Sequence, residues 1–224
     1  RLGANEAPPA IISVFIGEAM SKLLDQIAEG KNTDAKEVER ALDMISKLPN
    51  LEMDNTDRNR TSPFAFTGNK FEIRAVGSSQ NCAGPMAVMN GMMGLQLAEF
   101  KADVDTLMSK GTGQDEAILS VLKGYIRESK AICFEGNNYS DEWKKEAAKR
   151  GLPILDTSAE ALSVLEDEKL TQFLVEQKVL SREEINSRYH INVERYVKTL
   201  DIELDALDEL VTTYVVPAVE TQLG

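Results

Sequence analysis

Apolar residues in the last third of the chain recur every three or four positions, which is the period of an amphipathic helix. The stripe begins at Ile185 and continues to Tyr214, shortly before Pro217. It predicts one long final helix whose apolar side needs a partner surface, in this chain or in another subunit. Ser181, followed three residues later by Glu184, has the spacing of a capping box and predicts where this helix begins.

One segment near the start lacks helical character. Residues 61–76 are rich in aromatic and β-branched residues and are interrupted by Pro63 and Gly68. They predict two short strands around a turn near Gly68 and Asn69. Before them, residues 1–10 indicate a loop, and the apolar run that follows leads into a helix. The chain is therefore predicted to be mostly helical with few strands.

Composition narrows the class of protein. The 224 residues carry 37 acidic and 25 basic side chains, a formal net charge of -12, which disfavours binding to nucleic acids and anionic membranes. No apolar run reaches the ~20 residues that span a bilayer. Two distant cysteines argue against a disulfide scaffold or zinc site, and the absence of a signal-peptide pattern indicates a cytoplasmic protein. Because it starts at Arg1, we interpret the chain as part of a longer polypeptide.

Three charged residues alternate along the second predicted strand. Lys70, Glu72 and Arg74 are two positions apart, so they should share one face of that strand. The cations suit phosphate oxygens and the carboxylate suits a divalent metal ion. Spacing alone is more typical of a solvated face with surface ion pairs. No GxxxxGK[ST] motif is present, so nucleotide binding of the P-loop type is not expected.

Three ordered motifs resemble signatures of the glutamine synthetase catalytic domain. They are RLGANEAP at residues 1–8, NRTS at 59–62 and KFEIR at 70–74. The longer wordings RLGANEAPPAI and DRNRTSPFAFTGNKFE are typical of the type III subfamily. The segment GNNYSDEWKKEAAKRGLP, at residues 136–153, resembles the same subfamily. The chain is therefore similar to the C-terminal part of a type III glutamine synthetase.

This resemblance implies a fold and a reaction. The expected fold is α+β: residues 1–110 would close the catalytic domain, with few antiparallel strands and helices, and residues 111–224 would form a mostly helical extension. The implied reaction is ligation of ammonia to glutamate through a γ-glutamyl phosphate, with ATP and Mg²⁺ or Mn²⁺, in a homo-oligomeric ring. The family's other metal ligands precede Arg1, so this stretch alone is expected to be inactive.

Roles for residues in the first two motifs follow from the same resemblance. Arg1 matches the arginine that holds the carboxylate of the substrate glutamate. Glu6 matches the glutamate of a flap that takes a proton from bound ammonium, which is chemically reasonable because ammonia attacks only as the free base. Arg60 matches an arginine that contacts the transferring phosphate.

The third motif carries the remaining implied roles. Lys70 stands where the family usually has an arginine that contacts nucleotide phosphates, and lysine keeps the charge but loses the bidentate fork. Glu72 matches a metal ligand, and Arg74 matches an arginine near the substrate glutamate. Ala65 departs from the commonest pattern, which has another phosphate-binding arginine at this place.

A different class of function fits the second half of the chain. Residues 110–224 carry no recognised catalytic motif and end in the long amphipathic helix. They favour a helical assembly or regulatory module of a larger oligomer. Both hypotheses can hold for different parts of the chain.

Overall fold

The computed structural model describes residues 11–30, 43, 62–67, 70–74 and 81–224. The chain divides into two compact units, Arg1–Ser158 and Ala159–Gly224. The helices and strands of the first unit are β1 (Val14–Phe15), α1 (Glu18–Glu29), β2 (Phe64–Phe66), β3 (Phe71–Ile73), α2 (Ala83–Ser109), α3 (Gln114–Ser129), a 3-10 turn (Lys130–Ile132) and α4 (Asp141–Lys149). From its boundary onward the chain forms α5 (Ser158–Ser163), a 3-10 turn (Val164–Glu166), α6 (Glu168–Glu176), α7 (Arg182–Leu210), a π turn (Val211–Val215) and α8 (Val216–Leu223).

The expected α+β fold is confirmed, with one correction to its sheet. The strands are ordered β1-β2-β3, and β2 pairs with β3 antiparallel, as expected. However, β1 pairs with β2 in parallel, with Val14 opposite Phe64, so the described sheet is mixed. Parallel neighbours need a long crossover, and here the crossover contains α1. The apolar run that forms β1 was too short to be distinguished from the start of the helix.

A small core joins this sheet to the helices that follow. The backbone N–H of Phe134 donates to the carbonyl of Val14 (2.9 Å), which extends the hydrogen bonding beyond β1. The Phe134 ring stacks on Trp143 of α4 with centroids 3.7 Å apart. Ile11 and Ala147 complete the buried part of this cluster. The start of α4 is fixed by Ser140, whose hydroxyl accepts a hydrogen bond from the backbone N–H of Trp143.

The helix α2 packs against α3 and leaves much apolar surface exposed. Phe100 and Tyr125 meet edge to face at 5.7 Å, and the Tyr125 hydroxyl donates to Asp103 (3.0 Å). In the N-terminal half of α2, Met92 and Met93 are more than half exposed. Among the described residues, no helix combines the length and apolar character needed to cross a membrane.

The second unit ends in the predicted long helix. The capping box is confirmed: the Ser181 hydroxyl accepts from the N–H of Glu184, whose carboxylate accepts from the N–H of Ser181. Ile185 is buried, whereas every residue from 201 to 224 is exposed. The division at residue 110 into a catalytic portion and an extension stays a prediction.

Candidate functional site

The two cations of the third motif, Lys70 and Arg74, both lie beside the carboxylate of its third charged residue, Glu72. Lys70 Nζ lies 3.7 Å from Glu72 Oε1, and Arg74 Nη2 lies 3.4 Å from Glu72 Oε2. Each oxygen of Glu72 therefore faces its own cation. The hairpin holds this spacing, since the Thr67 N–H donates to the Lys70 carbonyl (2.8 Å) and the Arg74 N–H to the Pro63 carbonyl (2.6 Å).

Strand alternation separates the cluster from an aromatic face. Phe71 stacks on Phe64 with centroids 4.7 Å apart, and both belong to the face opposite to Glu72. On the face of Glu72, the cross-strand partner is Ala65, which is fully buried. Cross-strand partners on one face are close neighbours, so the small Ala65 side chain leaves the carboxylate uncrowded from β2.

The exposed ion pair of the cluster, Lys70 with Glu72, can be exchanged for a ligand at low cost. The side chains of Lys70 and Glu72 are 66% and 38% exposed, and that of Arg74 is 23% exposed. Exposed ion pairs contribute only about 0–1 kcal/mol. Lys70 can therefore turn to an anion, and Glu72 to a metal ion, without loss of a strong interaction between them. Arg74 is the more buried cation and makes further interactions that hold it in place.

Glu72 fits the role of one metal ligand and not of a complete site. Within the described ranges, no group of three or more His, Cys, Asp or Glu side chains is arranged to hold a metal ion. Magnesium commonly takes one or two protein carboxylates and fills its other positions with water and phosphate oxygens. A single exposed glutamate between two cations is compatible with that mode.

The other residues to which the resemblance assigns roles, Arg1, Glu6 and Arg60, lie outside the described residues. The structure does describe Ser62, which ends the second motif. Its hydroxyl donates to the Phe134 carbonyl (3.2 Å) and accepts from the buried Ser13 hydroxyl (2.8 Å). This chain of hydrogen bonds fixes the end of the second motif against β1. Sequence reasoning missed it, although two small hydroxyl residues in apolar segments were a weak signal.

A second polar cluster, also missed, lies where the 3-10 turn meets α4. Arg150 donates to the Cys133 carbonyl (2.8 Å) and to Glu146 (2.9 Å), with its guanidinium 5.4 Å from the Trp143 ring centroid. The pKa of the Cys133 thiol is raised, mainly by burial and secondly by the negative charge of the Glu135 carboxylate. A cleft of about 420 Å³ is lined by Ser21, Lys130, Ala131, Cys133, Glu135 and Arg150. Its lining carries two cations, Lys130 and Arg150, and one carboxylate, Glu135. Both cations are already paired with carboxylates outside the lining, Lys130 with Asp25 and Arg150 with Glu146.

Comparison with known proteins identifies the class. Residues 117–223 match the family described as the glutamine synthetase C-terminal domain. The chain is 46% identical over 221 residues to a glutamine synthetase of Bacteroides fragilis (strain YCH46), which covers 97% of this chain and 30% of that protein. It is 39% identical over 218 residues to the type-3 glutamine synthetase of Dictyostelium discoideum, an alignment that covers 97% of this chain and 30% of that protein. A glutamine synthetase of Butyrivibrio fibrisolvens is 38% identical over 216 residues, with 94% and 30% covered.

Residues 117–223 therefore belong to the glutamine synthetase C-terminal domain family. The similarity of the whole chain to the C-terminal part of a type III glutamine synthetase, inferred from three motifs, is confirmed. The chain spans about 30% of the length of the curated relatives it matches.

Proposed function

We propose that this chain is part of a glutamate–ammonia ligase that makes glutamine at the expense of ATP. The observation that carries the proposal is the similarity to proteins named glutamine synthetase over 94–97% of the chain. The Lys70, Glu72 and Arg74 cluster supports it, because the chemistry requires cations for phosphate and a carboxylate for metal. In the same proposal, ATP and Mg²⁺ or Mn²⁺ are required and the enzyme is a cytoplasmic homo-oligomeric ring.

The first proposed step is phosphoryl transfer. A side-chain carboxylate oxygen of glutamate attacks the γ-phosphorus of ATP, the bond to the β-phosphate oxygen breaks, and ADP leaves. Lys70 contacts nucleotide phosphates, Arg60 contacts the transferring group, and their positive charges offset the charge spread over its oxygens. Glu72 would hold a divalent cation, which supplies further charge neutralisation when bound. Arg1 and Arg74 hold the glutamate and its acyl phosphate.

The second proposed step is displacement by ammonia. Glu6 accepts a proton from bound ammonium, so that the nitrogen lone pair becomes free. Ammonia attacks the acyl carbon of γ-glutamyl phosphate, the bond to the phosphate oxygen breaks, and glutamine and inorganic phosphate are released. One ATP is consumed for each glutamine. Residues 1–110 would contribute to this catalytic portion, and residues 111–224 would form the helical extension.

The decisive assay measures ADP release by a longer polypeptide, which contains this chain together with a segment equivalent to the remaining length of its relatives. We expect release that depends jointly on glutamate and ammonium, and a fall of about 100-fold or more in Glu72→Gln, because the amide cannot replace a charged metal ligand. Glu220→Gln is the matched control, since Glu220 is exposed on α8. ADP release that ignores ammonium, or survives Glu72→Gln, would contradict the proposal.

A second function is favoured by one feature of the second unit. The exposed end of its last helix offers apolar surface without a described partner, as expected of a helical assembly or regulatory module. This function is compatible with the ligase, since the two concern different parts of the chain.

A further inference from the structure

The last 24 residues, 201–224, which we call the terminal segment, are helical almost to the end and exposed throughout. Leu204, Leu207, Val211 and Tyr214 follow one another at intervals of three or four and form an apolar stripe along one side. Leu204, Leu207 and Tyr214 are 62%, 55% and 64% exposed. Helices in water gain most of their stability from the surface that their apolar side covers. The terminal segment therefore has the form of a contact surface.

The polar residues of the terminal segment carry charge of one sign. After Lys198 the sequence has no lysine or arginine, and its acidic residues are Asp201, Glu203, Asp205, Asp208, Glu209 and Glu220. With about 3.6 residues per turn, Glu203 and Asp208 border the stripe, whereas Asp205 and Glu209 lie on the opposite side. Acidic residues four apart repel each other along the helix. Positive charge from outside the segment would relieve this repulsion.

A local change in helix type coincides with the stripe. Residues Val211–Val215 form a π turn, directly before the Pro217 turn of α8. Proline has no N–H and its ring displaces the carbonyl four residues earlier, which accounts for a widened turn at this place. Turns of the π type are rare in proteins, and many of those that occur lie at functional sites. Val215, at the end of this turn, is 51% exposed and adds to the apolar surface of the segment.

Charge decides between two kinds of occupant. A second copy of the terminal segment would bring Glu203 and Asp208 against the acidic borders of its partner, and like charges beside a helical seam are destabilising. A helix whose apolar stripe is bordered by lysine or arginine would complement both the stripe and its borders. We propose that the terminal segment is a docking site for a basic amphipathic helix. The inference does not rest on the ligase reaction.

The test uses two synthetic helical peptides with the same leucine stripe, one bordered by lysines and one by glutamates. Fluorescence anisotropy with the 224-residue chain should show binding of the lysine peptide at least about tenfold tighter than of the glutamate peptide, and weaker at high salt. The double variant Glu203→Lys/Asp208→Lys should reverse this preference. The matched control, Asp205→Lys/Glu209→Lys, changes the net charge equally on the opposite side and should keep the original preference.

Other outcomes overturn the proposal. If both peptides bind equally, if neither binds, or if the two double variants behave alike, then no docking site with acidic borders exists. Self-association is the remaining alternative and is measured by sedimentation equilibrium. A dimer that Leu207→Asp abolishes, and that the lysine peptide does not dissociate, would make a second copy the occupant. Circular dichroism of each variant verifies that helix content is unchanged.

Discussion

Replacing Trp143 by alanine should destabilise the unit Arg1–Ser158 by about 4 kcal/mol. The side chain is 1% exposed and stacks on Phe134 at 3.7 Å, with the Arg150 guanidinium 5.4 Å from its ring centroid. Removing a buried tryptophan costs about 3–5 kcal/mol, which includes the cavity it leaves. The stack and the cation–π contact are lost together with the ring, which argues against the lower end of that range and for about 4 kcal/mol.

The variant Trp143→Phe separates packing from hydrogen bonding. Within the part of the chain that the structure describes, the buried indole N–H of Trp143 has no hydrogen-bond partner, so phenylalanine forfeits no hydrogen bond to these residues and keeps an aromatic ring against Phe134. We expect a loss of only about 1–2 kcal/mol, from reduced contact area.

The assay is urea unfolding followed by far-UV circular dichroism, because the chain has a single tryptophan and its fluorescence is lost in both variants. Tyr139→Ala is the matched control: Tyr139 is 69% exposed in the loop before α4 and should cost less than about 0.5 kcal/mol. A loss below about 1 kcal/mol in Trp143→Ala would refute the reasoning. An equal loss in the alanine and phenylalanine variants would show that the hydrogen-bond argument is wrong.

Three further predictions concern other parts of the chain. Ala65→Arg should lower the free energy of unfolding in urea by more than about 2 kcal/mol, because it buries a charge in a packed strand. Its control, Ala102→Arg on the exposed side of α2, should be nearly neutral, and equal effects of the two variants would contradict the prediction. Ser181→Ala should cost about 1 kcal/mol in thermal unfolding, and an unchanged midpoint would show that the cap is dispensable. In Cys82→Ser, alkylation of Cys133 should become fast only above the ordinary cysteine pKa, because burial raises the pKa of Cys133. The raised pKa of Cys133 stabilises the fold at pH values below the pKa of this thiol in the unfolded chain, and the stabilisation disappears as the pH rises through its pKa in the folded chain. Rapid alkylation of Cys133 at neutral pH would contradict this prediction.

Local patterns predicted local structure well. The period-two spacing of Lys70, Glu72 and Arg74 was sufficient to predict that they meet, because alternation along a strand is fixed by backbone geometry. The Ser181 capping box was equally local, since both of its hydrogen bonds close within one helical turn. Neither prediction required knowledge of the rest of the fold.

Non-local features were beyond the sequence. The parallel pairing of β1 depends on a crossover of nearly fifty residues, and no local pattern encodes which strand a short apolar run will join. The contact of Arg150 with the Cys133 carbonyl likewise depends on how α4 folds back onto the segment before it. The catalytic roles of Arg1, Glu6 and Arg60 came from resemblance, and these residues lie outside the described ranges.

The position of Ala65 gives a physical reason for the departure from the commonest family pattern. Its neighbours in the sheet are Phe15 on β1 and Glu72 on β3, and side chains of paired residues project to the same face. An arginine here would press against the buried Phe15 ring and bring a third cation to the Glu72 carboxylate, in competition with a metal ion. Alanine avoids both effects and leaves Glu72 to Lys70, Arg74 and a ligand. Under the proposed mechanism, the phosphate charge that the missing arginine would offset must then be met by Lys70 and by groups outside the described sheet.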